Sequence, residues 1–73
     1  MNMTHLHPEN LTFGAYYRLR YKDSDTNEET VTEPMRFLEM RCDTKKRLVV
    51  TFQMKDGSCW WSHWRGLLDI TEA

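Results

Sequence analysis

The sequence predicts an all-β fold, a small five-stranded antiparallel barrel with a flexible N-terminal tail. Three observations predict it: apolar and polar residues alternate with a period of two, turn residues separate the alternating segments, and β-branched and aromatic residues dominate them. The chain has 73 residues, enough for one domain and too few for a second core. We therefore expect the tail over residues 1–10 and the barrel over residues 11–73.

The first predicted strand covers residues 16–22, just after Gly14. Tyr17, Leu19 and Tyr21 alternate with polar positions, which is typical of a strand buried on one face. The opposite face carries an aromatic residue and three cations, namely Tyr16, Arg18, Arg20 and Lys22.

An acidic segment follows the first strand. Residues 23–33 contain five acids and no base, which predicts a solvated loop or the exposed start of the next strand. Residues 30–32 have β propensity, and Pro34 marks an edge, a bulge or a strand start because it cannot donate a ladder hydrogen bond. Residues 23–27 resemble the opening of an EF-hand calcium loop, but Glu28 occupies the position of the required glycine, so an acidic turn is expected.

The second predicted strand covers residues 35–42, with Leu38, Met40 and Cys42 on one face. Phe37 interrupts the alternation and indicates either a bulge or a second contact surface. The polar residues 43–46 then suit a hairpin connection.

The third predicted strand has the most regular alternation, since every second residue from Leu48 to Met54 is apolar. Asp56 and Gly57 follow it and predict a hairpin with a type I′ turn, which needs positive φ at both central residues.

The fourth predicted strand, residues 59–62, opens the part of the chain that is richest in tryptophan. Three tryptophans within five residues do not fit on one face of a strand. We expect Trp61 to join the core with Phe52 and Leu38. That leaves a candidate partner-binding surface at Trp60, Trp64, Arg65 and His63.

A tight turn or single 3₁₀ turn over residues 63–66 and a last strand over residues 67–71 complete the pattern. A long bent strand pair, a tight hairpin, a brief turn and a short final strand resemble the layout of SH3-like and Sm-like barrels. The resemblance covers residues 14–71, rests on strand spacing and implies a fold only. An OB-type barrel is the main alternative, although it normally needs more residues.

Charge and cysteine content limit the functional classes. The net charge of −1 argues against binding that depends on overall positive charge. No stretch approaches the ~20 apolar residues of a membrane helix, and residues 1–10 lack the apolar core of a signal peptide. We therefore expect a cytoplasmic protein with no membrane association, in which Cys42 and Cys59 are free thiols; they would pair only if their strands were neighbours.

The sequence predicts no metal site, no cofactor and no enzymatic activity. His5 and His7 form a His-x-His pair, but a zinc site needs about four ligands, and the spacing of the remaining cysteines and histidine does not supply them. Ser62 and His63 are adjacent, so in a strand they face opposite sides and cannot act as nucleophile and base. A chain of this length also has little room for an enzyme-sized pocket.

The leading functional hypothesis is a stand-alone protein-binding regulator. A chain of this length that starts with Met and forms a single domain suggests an inhibitor or adaptor of bacterial or phage origin. We expect it to dock through its tryptophan surface and an exposed strand edge.

The alternative is a single-stranded nucleic-acid-binding barrel that uses Tyr16, Arg18, Arg20 and Lys22. Residues 45–47 add a second basic cluster, although those cations also suit a solvated face. Self-association into a homodimer is a third hypothesis.

Overall fold

A computed structural model describes residues 7–73, and their fold is one six-stranded antiparallel sheet. A single-turn 3₁₀ helix, Pro8–Asn10, precedes the first strand, and a second one, Trp64–Gly66, connects the last two strands. The strands are β1 (Tyr16–Lys22), β2 (Glu29–Val31), β3 (Met35–Cys42), β4 (Leu48–Gln53), β5 (Cys59–His63) and β6 (Leu67–Glu72).

Strand β1 is the centre of the sheet. Tyr17 lies between Glu72 of β6 and Met35 of β3, while Arg20 pairs with Val31 of β2. Strands β2 and β3 therefore share one edge of β1, and β6 occupies the other. The sheet continues from β3 through β4 to β5 and curls strongly without closing, so it forms a half-barrel. The all-β prediction is confirmed.

The prediction of five strands is wrong, because the acidic segment contributes a sixth. Strand β2 forms within that segment and ends before Pro34. Proline cannot donate a ladder hydrogen bond, so the chain does not run from β2 into β3 as one strand. Thr32 fixes the junction: its backbone N–H donates to the Leu19 carbonyl (2.8 Å), and its hydroxyl accepts from the Leu19 N–H (3.1 Å).

The core lies on the concave face of the curled sheet. Phe52 is at its centre, with ring centroids 6.3 Å from Tyr17 and 5.5 Å from Phe37. The alternation predicted for β1 and β4 is confirmed by the burial of Tyr17, Leu19, Val50 and Phe52. Within residues 7–73, the buried apolar residues are Tyr17, Leu19, Met35, Phe37, Val50, Phe52, Leu67 and Ile70.

A β-bulge changes the inward face of β3. The pairing with β4 shifts between Phe37 and Glu39, so Leu38 is the extra residue. Met35 and Phe37 are buried, whereas Leu38 is only half-buried and Met40 is exposed. The expectation that Leu38 joins the core is therefore wrong, and the register shift directly after Phe37 is the bulge that the interrupted alternation indicated.

Two hairpins share one loop geometry. In the β4–β5 hairpin, the Met54 N–H donates to the Ser58 carbonyl and the Gly57 N–H donates to the Met54 carbonyl. Gly57 has a φ of 92°, but Asp56 is not left-handed, so the predicted type I′ turn is wrong. The bonds instead enclose a three-residue loop that ends in a left-handed residue.

The β3–β4 hairpin repeats this geometry. The Asp43 N–H donates to the Arg47 carbonyl (2.9 Å), and the Lys46 N–H donates to the Asp43 carbonyl (2.9 Å). Lys46 takes the left-handed position with a φ of 62°.

The register of β5 places Trp60 inside and Trp61 outside, opposite to the prediction. Phe52 pairs with Trp60, and Thr51 pairs with Trp61. Directly paired residues of antiparallel strands lie on the same face, so Trp60 shares the concave face with Phe52. Trp61 remains 61% exposed.

The predicted flexible tail falls partly on residues 1–6, which lie outside the described residues. Of the rest, Pro8–Asn10 form a 3₁₀ turn in which the Leu11 N–H donates to the Pro8 carbonyl (3.2 Å). Leu11 packs against the core. Over residues 7–73, no helix has the length and apolar character needed to cross a membrane.

Candidate interaction surface

The convex side of β3, β4 and β5 carries an exposed tryptophan in a shallow concavity. Trp61 pairs with Thr51, and His63 pairs with Val49, so these four side chains share the outer face. The concavity has a volume of about 790 Å³. We call this surface the Trp61 face and define it by Glu39, Arg41, Val49, Thr51, Trp61 and His63.

Trp61 is supported by its neighbours but remains open to solvent. Its ring centroid lies 5.6 Å from that of His63 in an edge-to-face arrangement with an interplanar angle of 80°. Val49 and Thr51 are β-branched and half-buried, so they provide a stiff floor beside the indole. An exposed indole held in place in this way loses little side-chain entropy when a partner covers it.

Asp43 organises the end of this face nearest the β3–β4 loop. Its Oδ1 accepts hydrogen bonds from the backbone N–H groups of Lys45 (2.8 Å) and Arg47 (2.9 Å). Its Oδ2 lies 2.9 Å from Nε of Arg47 and 3.2 Å from Nε2 of His63. One carboxylate therefore fixes both the loop and the imidazole.

These contacts stabilise the ionised form of Asp43. The Arg47 backbone N–H makes the largest contribution to lowering the pKa of Asp43 to about 2, partial desolvation opposes it, and His63 and Lys45 lower it further. The carboxylate is consequently charged throughout the physiological pH range.

Of the four residues predicted to bind a partner, His63, Trp64 and Arg65 line one concavity, whereas Trp60 lies on the concave face of the sheet. His63 belongs to the Trp61 face, and Arg65 is exposed in the turn after β5. Trp60 is half-buried, with ring centroids 5.7 Å from Tyr21 and 6.4 Å from Phe52. Trp64 is half-buried and also packs against the core.

A second concavity lies beside the Trp61 face, and most of its lining is basic. Its volume is about 660 Å³. It shares Arg47 and His63 with the first concavity. We call it the basic groove, and its lining residues are Lys45, Lys46, Arg47, Leu48, His63, Trp64 and Arg65.

The aromatic and basic row predicted on β1 is present on the outer face of that strand. Tyr16, Arg18 and Lys22 are exposed. Arg20 instead contacts two carboxylates, with NH1 2.7 Å from Glu29 and NH2 3.7 Å from Asp69. Part of the row is therefore neutralised by neighbouring acids.

Cys42 and Cys59 are free, exposed thiols. They lie on β3 and β5, which β4 separates in the sheet. Within residues 7–73, no group of three or more His, Cys, Asp and Glu side chains is arranged to hold a metal ion. His5 of the His-x-His pair lies outside the described residues.

Sequence reasoning missed Trp61 as an exposed residue and selected Trp60 in its place. The length of the β4–β5 loop decides which tryptophan faces the core. Because three residues separate Met54 from Ser58, Phe52 lies opposite Trp60. Neither a known family, nor a curated protein, nor a solved structure matches the chain.

Proposed function

We propose that this protein is a non-enzymatic protein-binding regulator, acting as an inhibitor or adaptor, that docks on its partner through the Trp61 face. The observation that carries the proposal is Trp61 itself, a large aromatic side chain that is 61% exposed on the outer face of the edge strand β5. Tryptophan is the residue type most enriched among the few residues that dominate binding energy at protein interfaces.

The surroundings of Trp61 support this role. Apolar and β-branched side chains lie next to the indole, while charged residues such as Glu39 and Arg41 stand at the border. An aromatic centre with a polar rim is the usual organisation of a protein interface. The 3.6 Å contact between Glu39 and Arg41 is solvent-exposed, so it contributes little to stability and can be exchanged for contacts with a partner.

The chemistry around His63 supports a non-enzymatic role. Its imidazole contacts Asp43, as a catalytic histidine often contacts a carboxylate. However, the adjacent hydroxyl of Ser62 donates to the His63 backbone carbonyl (2.9 Å) and belongs to the opposite face of β5. The Ser62 hydroxyl is therefore not in position to be activated by the imidazole.

An SH3-like or Sm-like architecture is part of the same proposal. The pairing of the first strand with the last supports it, as does the 3₁₀ turn between β5 and β6. The strand is interrupted at Pro34, between β2 and β3. This interruption corresponds to the bend of the long second strand in this layout.

Nucleic-acid binding by the Tyr16 row is the weaker candidate. Arg20 is held by Glu29 and Asp69, so two phosphate contacts at most would come from Arg18 and Lys22 without breaking an ion pair.

Affinity capture with matched variants tests the proposal. The protein, Trp61→Ala and Val31→Ala are used as bait in host lysate, with and without nuclease. Val31 is the control because it is also exposed and apolar but lies on β2, across the sheet from β5. We expect proteins retained by the wild type and by Val31→Ala but absent with Trp61→Ala, regardless of nuclease.

Equal capture by all three baits would contradict the proposal. Sedimentation over a concentration series separates a second copy of this chain from another protein, because only self-association makes the mass of the isolated protein concentration-dependent.

A further inference from the structure

The basic groove concentrates positive charge in a protein that is almost neutral overall. Four of its seven lining residues are Lys or Arg and none is acidic, whereas the whole chain has a net charge of −1. The opposite sign is concentrated in residues 23–33, with five acids and no base. This separation produces a local positive potential that net charge does not reveal.

Three cations of the groove have no acidic partner among residues 7–73. Asp43 neutralises Arg47 and contacts His63. Within residues 7–73, the side chains of Lys45, Lys46 and Arg65 form no ion pair. An external anion therefore gains the full attraction of these three groups without having to displace an internal carboxylate.

The backbone of Lys46 is the second observation that points to the groove. Gly57 and Lys46 hold the same left-handed position in their two hairpin loops, with φ of 92° and 62°. The left-handed conformation costs a lysine roughly 1–2 kcal/mol of conformational energy, whereas glycine adopts it without this cost. Strain of this kind is typically retained where the side chain serves a function, and the side chain of Lys46 lines the groove.

We propose that the basic groove binds single-stranded nucleic acid, with Lys45, Lys46 and Arg65 contacting phosphates and Trp64 stacking on a base. Each nucleotide of a single strand presents both a phosphate and a flat ring, which matches cations and an indole along one groove. An acidic protein segment would neutralise the cations but would leave the indole unused. The four residues proposed to contact the strand lie outside the Trp61 face, and the inference does not depend on the function proposed for that face.

Fluorescence anisotropy with a labelled oligo(U) of about 15 nucleotides tests the inference. We expect saturable binding at low salt, and a slope of about −2 for log affinity against log salt, since three phosphate contacts each contribute roughly −0.7. Raising salt fourfold should therefore weaken binding roughly 16-fold.

Two triple variants locate the binding site. Lys45→Ala, Lys46→Gly and Arg65→Ala remove the groove cations, with glycine chosen because it suits the positive φ at position 46. Arg18→Ala, Lys22→Ala and Lys55→Ala remove the same charge from exposed positions outside the groove, including the two cations of the competing Tyr16 row, so this variant discriminates between the two surfaces. We expect the first variant to lose at least tenfold in affinity, and the second variant and Trp61→Ala to bind like the wild type.

Three results would overturn the inference. The first is a wild type that does not bind oligo(U) even at low salt. The second is a loss of affinity in the second triple variant that equals or exceeds the loss in the first, which would indicate charge-driven binding without a defined site or binding by the Tyr16 row. Tighter binding of a labelled oligoglutamate peptide than of oligo(U) would assign the groove to an acidic protein segment instead. Circular dichroism of each variant confirms that affinity is compared between folded proteins.

Discussion

Oδ2 of Asp43 lies 3.2 Å from Nε2 of His63, and this contact ties the β3–β4 loop to the end of β5. The two residues are 20 positions apart in the sequence. They meet because β5 pairs with β4 and brings His63 alongside Val49. The contact lies where the Trp61 face and the basic groove join, so it positions both surfaces.

Asp43→Asn should reveal the ionised carboxylate through a pH-dependent loss of stability. The pKa of Asp43 falls from 3.8 to about 2 in the folded protein. Its contribution is therefore complete above about pH 4 and disappears as the pH falls towards 2. The difference in unfolding free energy between wild type and variant should be constant from pH 7 to about 4 and should narrow below that.

Urea unfolding at several pH values measures this difference, with Asp25→Asn as the control. Within the described part of the chain, the Asp25 carboxylate accepts no hydrogen bond. The account is contradicted if the difference in unfolding free energy between the wild type and Asp43→Asn is the same at pH 7 and at pH 2.5. That result would show that the carboxylate does not stabilise the fold through its charge.

The tryptophans on the two faces of β5 should differ in their contribution to stability. Trp60→Ala removes packing against Tyr21 and Phe52 and should cost about 2–4 kcal/mol in unfolding free energy, less than a fully buried tryptophan. Trp61→Ala removes an exposed side chain and should change it by no more than about 0.5 kcal/mol. Chemical denaturation followed by circular dichroism measures both, and the reverse order would show that the register of β5 is different.

The two left-handed loop positions should respond in opposite directions to substitution. Gly57→Ala should destabilise the protein by about 1 kcal/mol through backbone strain alone, because an added Cβ would have no atom within 4 Å. Lys46→Gly relieves strain at a φ of 62° and should be neutral or stabilising by up to about 1 kcal/mol. Thermal unfolding of the two variants measures the changes. A Gly57→Ala protein with the same thermal unfolding midpoint as the wild type would show that the loop has another conformation.

The strands with uninterrupted alternation were predictable from the sequence, and the errors occur where the register changes. The patterns of β1 and β4 place Tyr17, Leu19, Val50 and Phe52 in the core, as observed. In β3 the bulge at Leu38 shifts the alternation by one residue, and a bulge leaves only a weak trace in a single sequence.

The exchange of Trp60 and Trp61 has a similar cause. A shift of one residue in register moves every side chain to the opposite face. The Asp56-Gly57 pair predicted a two-residue turn, but the loop has three residues, with only Gly57 left-handed. Knowledge of the loop length would have placed Trp60 opposite Phe52 and left Trp61 exposed.

The basic groove was not predictable as a unit. Lys45 and Lys46 stand out as a cluster in the sequence, but Trp64 and Arg65 lie nearly 20 residues further along. Only the pairing of β4 with β5 brings the two segments to the same end of the sheet. Charge clusters are visible in a sequence, whereas their alignment with an aromatic side chain depends on tertiary structure.

Photo-crosslinking from the Trp61 face with Trp61 itself retained tests the central claim most directly. A benzophenone amino acid replaces Glu39, an exposed residue of that face, in one protein and Val31 in a second, and each is irradiated in nuclease-treated host lysate. Docking through the Trp61 face predicts a discrete crosslinked protein band from position 39 and none from position 31. A band from position 31 with none from position 39 would show that the partner contacts another surface.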